Sequence, residues 1–283
     1  MIRIFADSTC DLSPELAQEF GVEIVPLHVI LGEEDLLDRV QVQPDDIFDF
    51  VSRSSVMPKT AAVSVDDAMK AFEPALRQGD EIIVFTISSE MSTTCNSMRL
   101  AAQELEAEDR VHVIDSRSLS SGIALQILHA AQMAKEGRSA QEIVSAVGEI
   151  IPRVQASFVV DTLTYLHRGG RCSGLAAMAG GMLRLHPRIS VKDGRMQPEK
   201  KYRGRMGHVA LAYAKDMEPQ LLAARPEHVF ITHSGCEEAD VQAVKAYVEG
   251  LGRFERVHIE RAGSVISCHC GPGTLGVLFI DGE

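Results

Sequence analysis

The chain has 283 residues, 45% of them hydrophobic and 24% charged, enough to bury one large core or two modest ones. Its net charge of −12 argues against nucleic-acid binding and against a peripheral grip on anionic lipid, since both need a basic face. No apolar run approaches the roughly 20 residues that span a bilayer, and the six cysteines are scattered rather than framed as disulfides, so the expected setting is a cytoplasm with reduced thiols.

Residues 2–6 read as a buried strand cut off by Asp7, with no room for a signal peptide's apolar core. A polar loop follows, Asp7-Ser8-Thr9-Cys10-Asp11, and then Ser13-Pro14-Glu15 opens a helix that Gly21 ends. Residues 23–30 are expected as one strand, irregular at Pro26, and residues 32–38 as an acidic turn. A short helix at 44–52 leads through a loop to Lys59-Thr60. Ser64 caps the next helix, with Asp67 as its acidic partner and Pro74 as a candidate kink.

The most informative stretch is residues 81–94. Residues 82–87 are an apolar, β-branched run, the pattern of a strand buried on both faces. The run ends in a hydroxyl cluster, Ser88, Ser89, Ser92, Thr93 and Thr94, and continues at helical spacing through Met91, Met98, Ala102 and Leu105. Hydroxyls at a strand-to-helix turn lie where free backbone N–H groups and the helix dipole favour an anion. The plainer alternative is that one of them caps the helix. A triphosphate would lack its cradle and counter-charge, because neither Gly nor Lys stands between Ser88 and Thr94. Neutral donors suit a smaller, singly charged group such as a carboxylate.

Residues 111–115 form a further strand with a polar loop, 115–118, behind it. A helix over 119–136 closes at Gly137, and Ser139 and Glu142 make a capping box for another, to about Ile151. Recurring strand, polar loop and helix imply a parallel sheet covered on both faces. The loops at 7–9, 60, 88–94 and 115–118 should gather at one edge of it.

After Pro152 the texture changes. A strand at 156–160, a short helix at 161–167, a basic turn Arg168-Gly169-Gly170-Arg171 and a small apolar stretch at 174–185 come first. Residues 189–197 carry a hairpin signal at Asp193-Gly194, followed by a second basic loop, Tyr202-Arg203-Gly204-Arg205. Helices at 209–222 and 238–251 alternate with strands at 228–232, 257–259 and 277–280. The expected fold class is α/β with two α/β domains. The first, residues 1–154, has a doubly wound, mostly parallel sheet; the second, residues 155–283, has a mixed sheet with helices. A ligand is expected in the cleft between them.

Three motifs invite chemistry. Gly271-Pro272-Gly273-Thr274-Leu275-Gly276 has G-x-G-x-x-G spacing, but the helix and acidic residue of a dinucleotide site do not follow it. Cys268-His269-Cys270, read as extended, sends His269 to the face opposite the cysteines, so no metal site and no cofactor are expected. His269 is better read as a side chain presented by the turn behind it. A serine hydrolase or acyltransferase would cast Ser92 as nucleophile and His269 as base, with Asp7 or Asp115 as orienter, although G-x-S-x-G is absent.

Taken together, Asp7-Ser8-Thr9-x-Asp11-Leu12, Lys59-Thr60, Ile87-Ser88-Ser89-x-Met91-Ser92, Ile114-Asp115-Ser116, Leu163-x-x-Leu166-x-x-Gly169-Gly170-Arg171 and His269-x-Gly271-Pro272-Gly273 resemble, in order, the DegV family. The resemblance covers essentially the whole chain. It implies a bacterial cytoplasmic protein that holds a long-chain fatty acid between two α/β domains. Such a protein presents the carboxyl group to a separate, dihydroxyacetone-kinase-like fatty acid kinase, which makes the acyl phosphate for phospholipid synthesis. By position, the resemblance assigns Thr60 and Ser92 to the carboxylate, with His269 beside them and Arg171 supporting the head-group region. It places Arg203 where the family has an arginine linked to kinase engagement. The implied role is that of a carrier without catalysis of its own, with no membrane insertion. Two departures fall in head-group loops: Thr60-Ala61-Ala62-Val63 replaces Thr-Ser-Gln-Pro, and Ser92-Thr93 replaces Ser-Gly. The small residues 176–181 either line a tail channel or pack helices closely.

Overall fold

The computed structural model describes residues 1–172 and 185–282; the small stretch 176–181 lies outside them. In chain order the first half holds β1 (Ile2–Asp7), α1 (Pro14–Phe20), β2 (Val22–Val25), β3 (His28–Leu31), β4 (Glu34–Leu37), α2 (Pro44–Ser54) and β5 (Lys59–Ala61). It continues with α3 (Val65–Arg77), β6 (Glu81–Thr86), α4 (Thr94–Glu104), β7 (Val111–Asp115), α5 (Ser121–Lys135) and α6 (Ala140–Ile150). The second half holds β8 (Val154–Val159), α7 (Thr164–Gly169), β9 (Leu185–Lys192), β10 (Arg195–Arg203), α8 (Met206–Asp216) and α9 (Glu218–Ala223). It closes with β11 (His228–Ser234), α10 (Glu238–Gly250), β12 (Arg256–Arg261), α11 (Ser264–Cys270) and β13 (Thr274–Ile280).

The first large sheet is parallel throughout, in the order β2-β1-β6-β7. Along β6 the side chains alternate as a pleat requires. Ile82 and Val84 pack with Phe72 and Ala75 of α3 and Met98 of α4. Ile83 and Phe85 pack on the other face with Ile123 and Ile127 of α5 and Ile143 and Val147 of α6. The unbroken apolar run of β6 is therefore the signature of a sheet buried on both sides.

The second large sheet is mixed, in the order β10-β9-β8-β13-β11-β12, with β11 and β12 parallel and the other neighbours antiparallel. One face carries α8, α9 and α10 on Val229, Ile231, Val277 and Phe279. The opposite face turns Phe158, Phe230 and Leu278 toward α5. Helix α5 thus touches β1 and β6 on one side and β8, β11 and β13 on the other. It is buried nearly all round, from Ser121 to Ala131, as a helix between two sheets must be. No helix among the described residues is long and apolar enough to cross a membrane.

Several elements differ from the sequence reading. The strand expected at 23–30 is broken after Val25, where Pro26 and Leu27 interrupt the ladder. The acidic stretch is strand β4, and Thr60 lies in strand β5, not in a loop. These form a small antiparallel sheet, β4-β3-β5, separate from both large ones. Helix α3 runs through Pro74 to Arg77. The helix expected at 209–222 is two, divided at Met217 ahead of a proline in the first turn of α9. Cys268-His269-Cys270 is helical and not extended. Successive side chains there are spaced ~100° apart, so the trio still does not converge. Among the described residues no cluster of three His, Cys, Asp or Glu side chains is placed to hold a metal.

Candidate functional site

The carboxyl ends of β1, β6 and β7 bring their polar loops to one sheet edge, but the loops meet different fates. In the loop after β6, Met91 and Ser92 both turn back to the Ser88 carbonyl. Helix α4 starts only at Thr94, so Met91 precedes it. The Ser88 hydroxyl donates to the Gly194 carbonyl (2.8 Å), at the tip of the β9–β10 hairpin. The Ser89 hydroxyl donates to Asp115 (2.5 Å). Ser92 exchanges a hydrogen bond with Thr94 (3.0 Å), and its oxygen accepts only a long bond from the Thr94 N–H (3.3 Å), so it is not a conventional helix cap.

Ser92 opens instead onto a cavity of about 490 Å³, within the range of small-molecule sites. Thr60, Ser92, Arg171 and His269 all line it. They arrive from β5, the β6–α4 turn, the segment after α7, and α11. The rest of the wall is largely apolar, with Leu27, Ile87, Met91, Leu119, Met196 and Ile266. A second void of about 30 Å³, lined by Phe158 and Leu278 among others, adjoins it through Leu119, Ile266 and Cys270. Ala61, Ala62 and Thr93, where the chain departs from the family pattern, also line the cavity. Arg203 is exposed at the end of β10 and is not among the lining residues.

Among the polar residues of the lining, His269 is directly paired with another, Thr60. Its Nε2 lies 2.9 Å from the Thr60 hydroxyl, while Nδ1 is buried and has no hydrogen-bond partner. Burial, helped by the nearby Arg171 guanidinium, pushes the imidazole down to about 4, so it is neutral at pH 7. A neutral ring has one N–H and one lone pair, and a buried N–H is rarely left without an acceptor. We therefore assign the proton to Nε2, donating to Thr60, which leaves the Thr60 hydroxyl hydrogen free to point at a bound oxygen. Arg171 donates from Nη1 to the Gly169 carbonyl (2.7 Å) and is otherwise exposed.

Glycines make this packing possible. A Cβ on Gly169 would stand 2.5 Å from His269 Nδ1. One on Gly271 would stand 2.5 Å from the Tyr165 ring, and Gly271 also holds a positive φ of 77°. Helices α7 and α11 can therefore lie flush. The sequence reading took Arg168-Gly169-Gly170-Arg171 as a basic turn and missed this role; a short helix running into two glycines was the available signal.

The triad posed for a hydrolase is not assembled. Asp7 accepts from the Ile87 N–H (2.7 Å) and the Thr9 N–H (3.0 Å), and Asp115 from Ser89 and the Arg117 N–H (3.1 Å). Neither orients His269, whose Nε2 faces Thr60 and not Ser92.

The sequence profile described as "Uncharacterised protein, DegV family" matches residues 1–282. A DegV domain-containing protein of Deinococcus radiodurans is 33% identical, with 98% of each chain covered. Among solved structures, a DegV family protein from Thermus thermophilus, described by its fatty acid binding, superposes with a TM-score of 0.91 at 30% identity and covers 99% of each chain. A stearic acid-binding protein from Eubacterium ventriosum superposes with a TM-score of 0.85 at 27% identity, covering 99% of this chain and 98% of its own.

Proposed function

This chain belongs to the DegV family, and on that premise we propose that it is a cytoplasmic carrier of a long-chain fatty acid. The observation that carries the reading is the cavity's lining: the donors Thr60 and Ser92 and the imidazole of His269 share one cavity with a largely apolar wall. A carboxylate bound there would accept from the Thr60 and Ser92 hydroxyls, while the neutral His269 holds Thr60 in the donating orientation. Arg171 would supply the nearby positive charge. The hydrogen bonds to a charged group contribute about 1.5–3 kcal/mol each. The tail contributes about 0.8 kcal/mol per buried CH₂, enough for a sixteen-carbon acid to survive purification. The fatty acid ligands of the Thermus and Eubacterium proteins support the same reading. It treats residues 1–154 and 155–283 as two domains with the ligand in the cleft between them, and the two separate large sheets, whose strands divide at Val154, support that division.

The carrier's next step is to present the carboxyl group to a separate dihydroxyacetone-kinase-like fatty acid kinase. The chain has no glycine-rich phosphate loop with a lysine, the stabilising part that phosphoryl transfer relies on. The exposed basic residues Arg168, Arg171, Arg203 and Arg205 offer a docking charge on an otherwise acidic protein. Denaturing extraction and mass spectrometry of the purified protein should release a long-chain fatty acid. No lipid, together with no uptake of added palmitate, refutes the carrier reading. With ATP, magnesium and palmitate, the protein alone should make no acyl phosphate; the kinase from the same cell should start it, and Arg203→Ala should slow it while palmitate stays bound.

A further inference from the structure

The helix that carries His269 is held from outside its own half of the chain. Helix α11 lies between β12 and β13, yet its amino end has no side-chain cap of its own, the cap position being Gly263. Two carboxylates from the first half take that place. Asp11 Oδ1 accepts from the Gly263 N–H (2.8 Å), 252 positions away. Asp38 Oδ1 accepts from the Ser264 N–H (2.8 Å), 226 positions away, and more weakly from the Val265 N–H (3.4 Å). These are N–H groups that a helix leaves unpaired at its start. Both carboxylates are themselves fixed. Asp11 Oδ2 accepts from the Ser120 hydroxyl (2.5 Å), at the foot of α5. Asp38 Oδ2 accepts from the Ser8 hydroxyl (2.7 Å), whose oxygen in turn accepts from the Leu27 N–H (3.1 Å). Leu27 lines the cavity, and its carbonyl accepts from the Asp38 N–H (2.9 Å). A Cβ on Gly263 would stand 2.9 Å from Arg39 Cδ and 3.3 Å from Asp11 Oδ1, so a larger residue there would crowd the clasp.

We propose that Asp38, with Asp11 beside it, is a positioning residue for His269: by clamping the amino end of α11 it sets the distance between the imidazole and Thr60. The lever is short. His269 lies five residues beyond Ser264, so about 7.5 Å of helix separates the clamp from the ring, and a tilt at one end is felt at the other. The 2.9 Å bond from Nε2 to Thr60 tolerates little of it. In the same way, Ser264 donates its own hydroxyl to the Val42 carbonyl (2.9 Å), locking the first turn against rotation.

This inference rests on the reading that His269 orders the head-group donors, and its test separates the two. Palmitate affinity would be measured by displacement of a fluorescent fatty acid from the full chain, in a double-mutant cycle of Asp38→Ala and His269→Ala. Asp38→Ala should weaken binding about fivefold or more in the natural background and less than about twofold when His269 is already absent, because its effect runs through that ring. Asp38→Asn keeps an acceptor for the Ser264 N–H and should restore affinity to within about twofold of the natural chain. Equal losses in both backgrounds, or no loss at all, overturn the proposal while leaving the head-group reading intact. An unchanged affinity in His269→Ala overturns the head-group reading and the proposal together. Should Asp38→Ala fail to fold, Asp11→Ala, which releases the Gly263 N–H and the Ser120 hydroxyl but leaves the Ser264 N–H clamped, takes its place in the cycle with the same outcomes.

Discussion

Two neighbouring loops begin from the same kind of sequence and end in opposite roles. Residues 7–11 and 88–94 each follow a parallel strand, each is rich in Ser and Thr, and β1 and β6 lie side by side. In the first loop every polar side chain is buried, and Asp7, Ser8, Thr9 and Asp11 all bond within the protein. In the second, Ser88 is buried and Ser89 bonds to Asp115, but Ser89, Ser92 and Thr93 all line the cavity. The difference lies in the carboxylates. A buried Asp demands several donors and gathers the hydroxyls and N–H groups around it, so its loop becomes structural. In the second loop the one carboxylate, Glu90, is exposed and paired with Arg195, so it does not gather the hydroxyls, and Ser92 and Thr93 keep donors to spare for a ligand.

The most damaging way to break this contrast is Asp7→Ala. It leaves the Ile87 and Thr9 N–H groups without acceptors in the interior, so urea unfolding should show a loss of about 3 kcal/mol or more. What remains folded should still take up palmitate. A stable variant with lost binding would assign Asp7 to the site instead.

Acidity separates the two regions by sign. Burial pushes His269 down to about 4 from 6.5. The unfolded chain therefore binds this proton below about 6.5 while the folded chain refuses it until about 4, so this group's contribution to stability falls as the pH drops through that window. Burial pushes Asp7 up to about 6 from 3.8, held back by its bonds from Thr9 and Ile87. There the folded chain holds the proton first, so this contribution rises as the pH drops from about 6 to 3.8. Replacing His269 with Asn should remove a loss of at most about 3 kcal/mol between neutral pH and pH 4, seen as a flatter stability profile. An unchanged profile would show that the ring is not held neutral.

Smaller effects sharpen the picture. Thr60→Val and Ser92→Ala should each weaken palmitate binding about tenfold or more, a loss of about 1.5–3 kcal/mol, with stability altered by less than about 1 kcal/mol. Stability losses without affinity losses would make this loop structural like the first. Smallest of all is Arg195→Ala. Arg195 pairs with Glu90 (2.5 Å) where the hairpin tip meets the β6 loop, and the pair is exposed. Its loss should change stability by no more than about 1 kcal/mol and speed palmitate release only modestly; a large change would give the hairpin a greater part in closing the cavity.

Local chemistry made much of this legible. Strand β7 has the limits its apolar run predicts, Asp193-Gly194 is the hairpin turn, and Ser139 with Glu142 is the capping box. The hydroxyl loop was found because a strand's period gives way to a helix's at the point where the hydroxyls cluster. What was not legible depends on distant partners. Thr60 is a strand residue because β3 pairs with it, and β3 exists because Pro26 ends β2 early. Cys268-His269-Cys270 is helical because carboxylates more than 200 positions away cap its first turn. The burial of α5 on nearly all sides from Ser121 to Ala131 requires a second sheet on its far side, which no periodicity within α5 reveals.

The central claim is that a fatty acid carboxylate is held by the donors around Thr60, Ser92 and His269. The most direct measurement is the ¹³C NMR spectrum of carboxyl-labelled palmitate titrated into the natural chain and into the Thr60→Val, Ser92→Ala double variant at neutral pH. The account predicts a single saturable bound carboxyl resonance in the natural chain, shifted or broadened into exchange in the double variant. A bound resonance identical in both proteins, or none in either, would contradict it.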